Sequence, residues 1–425
     1  MVKKVLSLTL TMTLLATLVL GGCSSREKQA DNGAVSSQPT VSSSSSGLVK
    51  APEATESPAA STDETSPETS LGPAILKIAA GETVSAGDHS MVIDAAGNLW
   101  GWGSNSYGEV GDGSTKTCIT PVKIMDGVES VSSGGWHTLA VKADSSLWAW
   151  GRNSDGQLGD GTTEDKHTPV KIMEDVASVS AGGWFTMAIK TDGSLWAWGL
   201  NAYGALGDGT TENKLSPVKI MDDVVSVVAS NEYTMAIRAD GSLWGWGGNA
   251  YGQLGDGKIT LSQSTPVKIM DNVVSSSVGA RHSLAIKSDG SLWAWGANGC
   301  GELGDGTIED KKTPVKIMDG VVSVSAGNQH TMAIKTDGTL WAWGRNDLYQ
   351  LSEKCTAKFQ LTPVKIMDDL LLVSTGNNLA LAQKTDGTLW SWGSSEKGSL
   401  GYSTVFGSPI PVKITLGSQV EIYYN

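Results

Sequence analysis

Four of the five histidines, His89, His137, His282 and His330, stand at one position of a recurring unit; Phe185, Tyr233 and Leu379 fill it in the other copies. Imidazole is the commonest metal ligand and titrates nearest neutrality, so a histidine ring raises the question of metal. Equivalent positions on separate units lie too far apart to share one ion. Repetition points instead to one structural hydrogen bond, made in copy after copy. The residue just before it behaves in the opposite way. It reads Asp88, Trp136, Trp184, Glu232, Arg281, Gln329 and Asn378 along the chain. Paired aromatics on neighbouring units, outside any packing pattern, are what a binding hot spot uses. The alternative is that they pack over the corner. The expected partner-binding residues are thus Asp88, Trp136, Trp184, Glu232, Tyr233, Arg281, Gln329 and Asn378.

Other chemistry is sparse. Asp112, Asp160, Asp208, Asp256 and Asp305 recur in Gly-Asp-Gly segments, but each loop holds too few acids at calcium-loop spacing, and a turn aspartate accounts for them. Cys118, Cys300 and Cys355 fall at different places in different copies and share no zinc-like spacing. Cys300 and Cys355 lie in adjacent units and are within reach of pairing, although scattered single substitutions describe them better. No nucleophile–base pair and no phosphate-cradling loop stands out. The expectation is a non-enzyme that needs no cofactor and no metal.

The unit that positions these residues is plain. Fourteen of the 16 tryptophans lie in seven Leu-Trp-x-Trp-Gly pentapeptides, starting at Leu99, Leu147, Leu195, Leu243, Leu292, Leu340 and Leu389, spaced 48 or 49 residues apart. Pro-Val-Lys-Ile recurs from Pro121 to Pro411 at the same period. A fixed period of this length marks a repeat architecture. In the unit from Val176 to Ile220, Asp192-Gly193 between two strand-like runs is a hairpin signal, and nothing has helical period. Four short antiparallel strands, A to D, follow: Val179 onward, Thr186-Met-Ala-Ile-Lys, Leu195-Trp-Ala-Trp-Gly and Pro217-Val-Lys-Ile. Seven such units closed in a ring make an all-β, seven-bladed β-propeller. Residues i and i+2 share a strand face, so both tryptophans of a pentapeptide face one side and fill space beside the small residues of the next blade. Each aromatic buries 150–250 Å², worth about 4–6 kcal/mol gross.

The pattern Gly-x-x-His-Thr-x-Ala-x-Lys-x-Asp-Gly-x-Leu-Trp-x-Trp-Gly-x-Asn-x-x-Gly-x-Leu-Gly-Asp-Gly, nearly whole at Gly134 to Gly161 and Gly327 to Leu351, resembles the repeat of the regulator of chromosome condensation family. The resemblance spans about residues 73 to 425 and implies a seven-bladed propeller. Blades six and seven depart from it at Leu351-Ser-Glu-Lys and Leu400-Gly-Tyr-Ser, losing the Gly-Asp-Gly turn. An extra Ile75-Leu-Lys-Ile looks like an eighth D strand, Gln419-Val-Glu-Ile-Tyr-Tyr follows the last unit, and one of them is expected to pair across the seam between blades one and seven.

The front of the chain is read as an address. Lys3 and Lys4 precede an apolar stretch from Val5 to Leu20, then Leu20-Gly-Gly-Cys23, which is signal-like and too short to span. The ending resembles a bacterial lipoprotein signal and implies lipidation of Cys23. The expected domains are a signal peptide at 1–22, a lipidated disordered Ser/Thr/Pro-rich tether at 23–71 and the propeller at 72–425. The location implied is the bacterial cell envelope, outside the cytoplasm, with membrane contact through the lipid alone.

Strand direction alternates, so A–B and C–D connections emerge on one face of the ring, B–C and D–A on the other. The second face carries near-identical turns. The first carries what varies, including a rim of Tyr107, Tyr203, Tyr251, Tyr349, Phe359, Tyr402 and Phe406; variable loops on a rigid scaffold are where binding residues concentrate. The family's name suggests chromatin or guanine-nucleotide exchange. However, the propeller carries 26 basic and 37 acidic residues, a net of −11, and such a field opposes phosphate backbones. The expected function is an envelope-anchored, monomeric protein-interaction scaffold using the A–B/C–D face. A lectin-like glycan or cell-wall module is the alternative, and a secreted-enzyme inhibitor or an exchange factor stands further off. No nucleic-acid partner is expected.

Overall fold

The computed structural model describes residues 77–80, 89–394, 399–401 and 407–414, the first four by backbone alone. Cys23 and everything before Lys77, Asp88, Tyr402, Phe406 and Gln419 to Tyr424 lie outside the described residues.

Seven four-stranded antiparallel sheets are present, each built from four consecutive strands. In blade three the strands are A, Val176–Ala181; B, Phe185–Lys190; C, Leu195–Gly199; and D, Lys214–Met221. A strands of successive blades lie side by side around the axis, and D strands form the half-exposed outer edge. The all-β seven-bladed propeller is therefore the fold.

The hairpin signal works as its chemistry requires. In the B–C turn Gly193 adopts φ +80°, where a side chain would be strained. Asp192 accepts hydrogen bonds from the Ser194 amide and hydroxyl, and Ser194 Oγ accepts from Trp196 Nε1 at 2.9 Å. The first tryptophan of each pentapeptide stays partly exposed over this turn, while the second is fully buried.

Blades adhere through the second tryptophan. Trp198 of blade three packs against Leu139, Val141, Leu147, Ala149 and Leu158 of blade two, the large-on-small arrangement that the alternating faces require. Its Nε1 donates to the Gln157 carbonyl of blade two at 3.0 Å. The partner loop must come very close, because a Cβ at Gly159 would sit 2.5 Å from that nitrogen. Gly159 also has φ +81°.

One sequence expectation fails at the seam. Lys77–Ala80 pairs with His89–Ile93 and is the A strand of blade one, not an additional D strand. Among the described residues no strand crosses between blades. The seam closes by side chains: Val92 and Trp102 pack with Leu379, Leu381 and Leu400, and Trp102 Nε1 donates to the Ser399 carbonyl at 2.8 Å. The Ile75 segment resembled a D strand because Leu-Lys-Ile matches the end of Pro-Val-Lys-Ile; hydrogen-bond pairing decides such a case.

Candidate functional site

The A–B corner is built on a latch. Thr138 Oγ1 of blade two donates its only proton to the Glu109 carbonyl of blade one at 2.7 Å. The same oxygen lies 2.8 Å from His89 Nε2, so it accepts there and the imidazole carries its proton on Nε2. His137 repeats this on Thr186 at 3.0 Å, and His282 on Thr331 at 3.0 Å. The Glu109 carbonyl also accepts Trp150 Nε1 at 2.9 Å, so one backbone oxygen gathers two donors from the next blade. Burial alone pushes His89 down to about 4; burial first, with other histidines or Arg345 adding, takes His137 and His330 to about 3, and burial takes His282 to about 3. All four are held neutral by burial, and His89, His137 and His282 serve as joints. Among the described residues no cluster of three metal-ligating side chains occurs.

The exceptions obey the same geometry. In blade four Tyr233 replaces histidine, and its hydroxyl donates to the His282 carbonyl at 2.6 Å while accepting from Ser283 Oγ at 3.0 Å. Tyr233 is fully buried; its expected place on a binding surface is corrected, because the phenol reaches the next blade as the imidazole does. In blade six the following blade offers Ala380 where others offer threonine or serine, and both nitrogens of His330 lack a hydrogen-bond partner among the described residues.

The Gly-Asp-Gly aspartates are structural acceptors. Asp160 Oδ1 receives the buried Asn153 amide at 3.0 Å, the Thr162 hydroxyl at 2.7 Å and the Thr162 amide at 2.9 Å. Cys118, Cys300 and Cys355 are not joined to one another by disulfides.

Above the latches lie the variable residues. From blade two onward, the corner residue's carbonyl accepts the amide of the residue just past the pentapeptide: Arg152 on Trp136, Leu200 on Trp184, Gly248 on Glu232, Ala297 on Arg281, Arg345 on Gln329 and Ser394 on Asn378. Blades two, three, five, six and seven thus display two variable side chains as a fixed pair, whereas in blade four the second position is Gly248. In blades two and three, Trp136 and Trp184 meet with ring centroids 4.7 Å apart at 38°. The Arg152 guanidinium lies 5.3 Å from the Trp136 ring and 5.0 Å from the Tyr107 ring. Trp136 is only 9% exposed, so packing over the corner accounts for it, and the accessible surface belongs to Trp184, Arg152 and Tyr107. Sequence reasoning missed Arg152, whose signal was its position directly beside the corner residue.

Blades four and five form a second cluster. Arg281 is exposed and stacks 4.6 Å from the Tyr251 ring. Burial raises the Glu232 carboxyl above its ordinary range, against the opposing pull of Arg281. In blade six Gln329 accepts from Arg345 Nη1 at 2.9 Å, and Asp347 binds that guanidinium through both oxygens at 2.6 and 2.9 Å. Asn378 of blade seven is half-buried. Of the rim, Tyr203, Tyr251 and Phe359 are half-buried and Tyr349 is exposed. The arrangement offers aromatic faces, guanidinium groups and amides on rigid supports, which suits recognition of a surface.

Similarity to known proteins agrees with this architecture. The RCC1-like domain matches residues 174–423. The regulator of chromosome condensation (RCC1) repeat matches residues 96–141 and 144–189, with a second profile of that repeat at 128–157. No curated protein sequence matches the chain. Among solved structures, human WBSCR16 is 19% identical, with 76% of this chain and 96% of that one covered and a TM-score of 0.68. Yeast RCC1 (Prp20) bound to Kap60 is 20% identical, covering 86% and 91%, TM-score 0.68. Prp20p from Saccharomyces cerevisiae, described with its binding to Gsp1p and histones, is 22% identical, covering 82% and 87%, TM-score 0.68. These structures share the fold. They are human and yeast proteins, and the partners named for the yeast protein are Kap60, Gsp1p and histones. On that finding the expectation of a bacterial envelope lipoprotein, with attachment through Cys23 and a protein or glycan partner outside the cytoplasm, is corrected. Repeat, latch and profile agree: the chain belongs to the RCC1-like domain family.

Proposed function

We propose that the chain is a non-catalytic protein-interaction propeller that holds a protein partner against its A–B/C–D face. The carrying observation is that the corner residue varies in type around the ring while the next residue, in His89, His137, Tyr233 and His282, is spent on a contact to the following blade. Support for a protein partner comes from the breadth of the display. Trp184, Arg152 and Tyr107 lie on blades one to three, and Glu232, Arg281 and Tyr251 on blades four and five. Tryptophan, tyrosine and arginine are the residues that carry most interface energy. The yeast relative's complex with Kap60 supports the same class of partner. The non-catalytic reading is supported by the use of His89, His137 and His282, which burial holds neutral and which each spend Nε2 on a threonine of the next blade.

The test is capture by immobilised protein from extract of the producing cells, followed by identification of what binds. Trp184→Ala with Arg281→Glu should weaken the captured protein at least about 30-fold, the scale of a hot-spot loss of 2 kcal/mol. Asp319→Ala, an exposed substitution on the opposite face, should leave capture unchanged. Equal capture by both variants would remove the proposal.

A further inference from the structure

On the A–B/C–D face, a tyrosine in the C–D loop of one blade lies against the corner of the next. Tyr107 of blade one carries the Arg152 guanidinium of blade two at 5.0 Å, and Tyr251 of blade four carries the Arg281 guanidinium of blade five at 4.6 Å. Tyr203 of blade three holds the same position; the three stand two residues after Asn105, Asn249 and Asn201. The repeat sets Tyr203 against the corner of blade four, where the displayed pair is Glu232 and Gly248. The tyrosine is kept, and the charge opposite it is reversed.

Glu232 is a carboxylate without a counter-charge in contact. It is half-buried, and among the described residues its side chain accepts no hydrogen bond and makes no ion pair. Burial raises it above the ordinary carboxyl range, against the pull of Arg281, whose guanidinium is stacked on Tyr251. The carboxylate leans over Gly248, where a Cβ would meet Glu232 Oε2 at 3.5 Å. At the position of Gly248, blade two has Arg152 and blade six has Arg345, each resting on its own corner residue. In blade six Asp347 balances that charge through both oxygens. Blade four supplies the acid and blade three the aromatic ring, without a guanidinium between them. Trp184 borders the same place, since neighbouring corners are close enough for Trp136 and Trp184 to meet at 4.7 Å.

A partly desolvated carboxylate is stabilised by a cation that also donates hydrogen bonds. A guanidinium is planar, stacks on aromatic faces and presents a fork that matches both carboxylate oxygens; an ammonium is a point charge that holds its water more tightly. We propose that the place between Tyr203, Trp184 and Glu232 receives an arginine side chain of the protein partner, its guanidinium stacked on Tyr203 and paired with the Glu232 carboxylate. The assignment rests on the A–B/C–D face being the one that meets a protein, and it names the group recognised at blade four.

The probe is a blocked peptide, acetyl-Ala-Arg-Ala-amide, titrated into the full chain carrying carbon-13 at its glutamate carboxyls. The Glu232 signal is the one lost in Glu232→Gln. The arginine peptide should move that signal saturably and lower its titration midpoint by about one pH unit. Tyr203→Ala should weaken this binding about fivefold, the scale of a partly desolvated cation–π contact. The matching lysine peptide should bind more weakly, and the citrulline peptide, of the same shape without the charge, should leave the signal in place. An arginine peptide that acts no differently from citrulline, binds equally well without the Tyr203 ring, or binds no better than lysine would overturn the assignment. In the capture experiment, Glu232→Gln should weaken the captured protein at least about fivefold. Unchanged capture by Glu232→Gln, with capture still reduced by Trp184→Ala and Arg281→Glu, would sink the arginine site and leave the partner face standing. Capture insensitive to all three changes would remove both.

Discussion

Two rings of residues run around the A–B corners one step apart in sequence, and they have opposite characters. The inner ring of His89, His137, Phe185, Tyr233, His282, His330 and Leu379 is buried in every blade. The other, tryptophan at 136 and 184 and then Glu232, Arg281, Gln329 and Asn378, varies in type around the ring and, Trp136 apart, is partly or fully exposed. One step along a strand turns a side chain to the other side, so the backbone that locks one ring into the neighbouring blade displays the other. Stability and recognition are thereby separated within a dipeptide. Substitutions in the inner ring and its latch should change stability; substitutions in the outer ring should change binding.

The largest effect is expected at the latch tryptophans. Trp198→Ala removes a fully buried ring and its bond to Gln157 and should cost about 3–5 kcal/mol in denaturant unfolding. Trp196→Ala, half-exposed over its turn, should cost clearly less. Equal costs would show that the two tryptophans of a pentapeptide do not divide the work.

Acid comes next. Burial lowers His89, His137, His282 and His330 from an unfolded value of 6.5 to about 3 or 4. The unfolded chain binds protons first, so their contribution is fully present above pH 6.5 and is lost as pH falls towards 3. Glu302 has the opposite sign. Burial raises it from 4.5 to about 7, so its contribution is present below pH 4.5 and lost as pH rises through 7. One carboxyl offsets only part of four histidines. The unfolding midpoint should fall between pH 6.5 and 4, and His137→Phe, which copies Phe185 of the next blade, should flatten that slope by about one proton. An unchanged slope would mean that His137 is not held neutral.

A smaller effect is expected where the latch is worn. At the junction of blades six and seven, Ser352 holds φ 131° where other blades have glycine, Trp392 Nε1 reaches the Gln350 carbonyl at 3.2 Å, and His330 has no acceptor among the described residues. Ser352→Gly should stabilise by about 1 kcal/mol by relieving a strained backbone, and Ala380→Thr by about 0.5–1.5 kcal/mol by restoring the hydrogen bond. Thermal unfolding distinguishes these gains from the losses expected for the reverse changes, Gly159→Ser and Thr186→Ala, at an intact junction.

Blade number, strand order, the Asp-Gly turns and the large-on-small packing were legible in the sequence because each follows from period, alternation or turn chemistry. The histidine joint was legible as repetition, though its acceptor was identifiable only once threonine and carbonyl met across blades. Tyr233 looked like a surface aromatic because sequence cannot show that a phenol spans the same gap as an imidazole. Trp136 reads as exposed as Trp184 in the sequence because its cover, the Arg152 guanidinium and the Trp184 ring, comes from past strand C and from the next blade. Lys77–Ala80 was assigned to the wrong strand because short apolar runs take their identity from the strand they pair with.

The central claim is that one face of the ring meets a protein. Its most direct measurement places a photoreactive side chain at Arg281 on the A–B/C–D face and, separately, at Asp319 on the other, then irradiates each in extract of the producing cells. The account predicts a discrete protein adduct from position 281, lost on adding Trp184→Ala, and none from position 319. A discrete adduct from position 319 alone would contradict it.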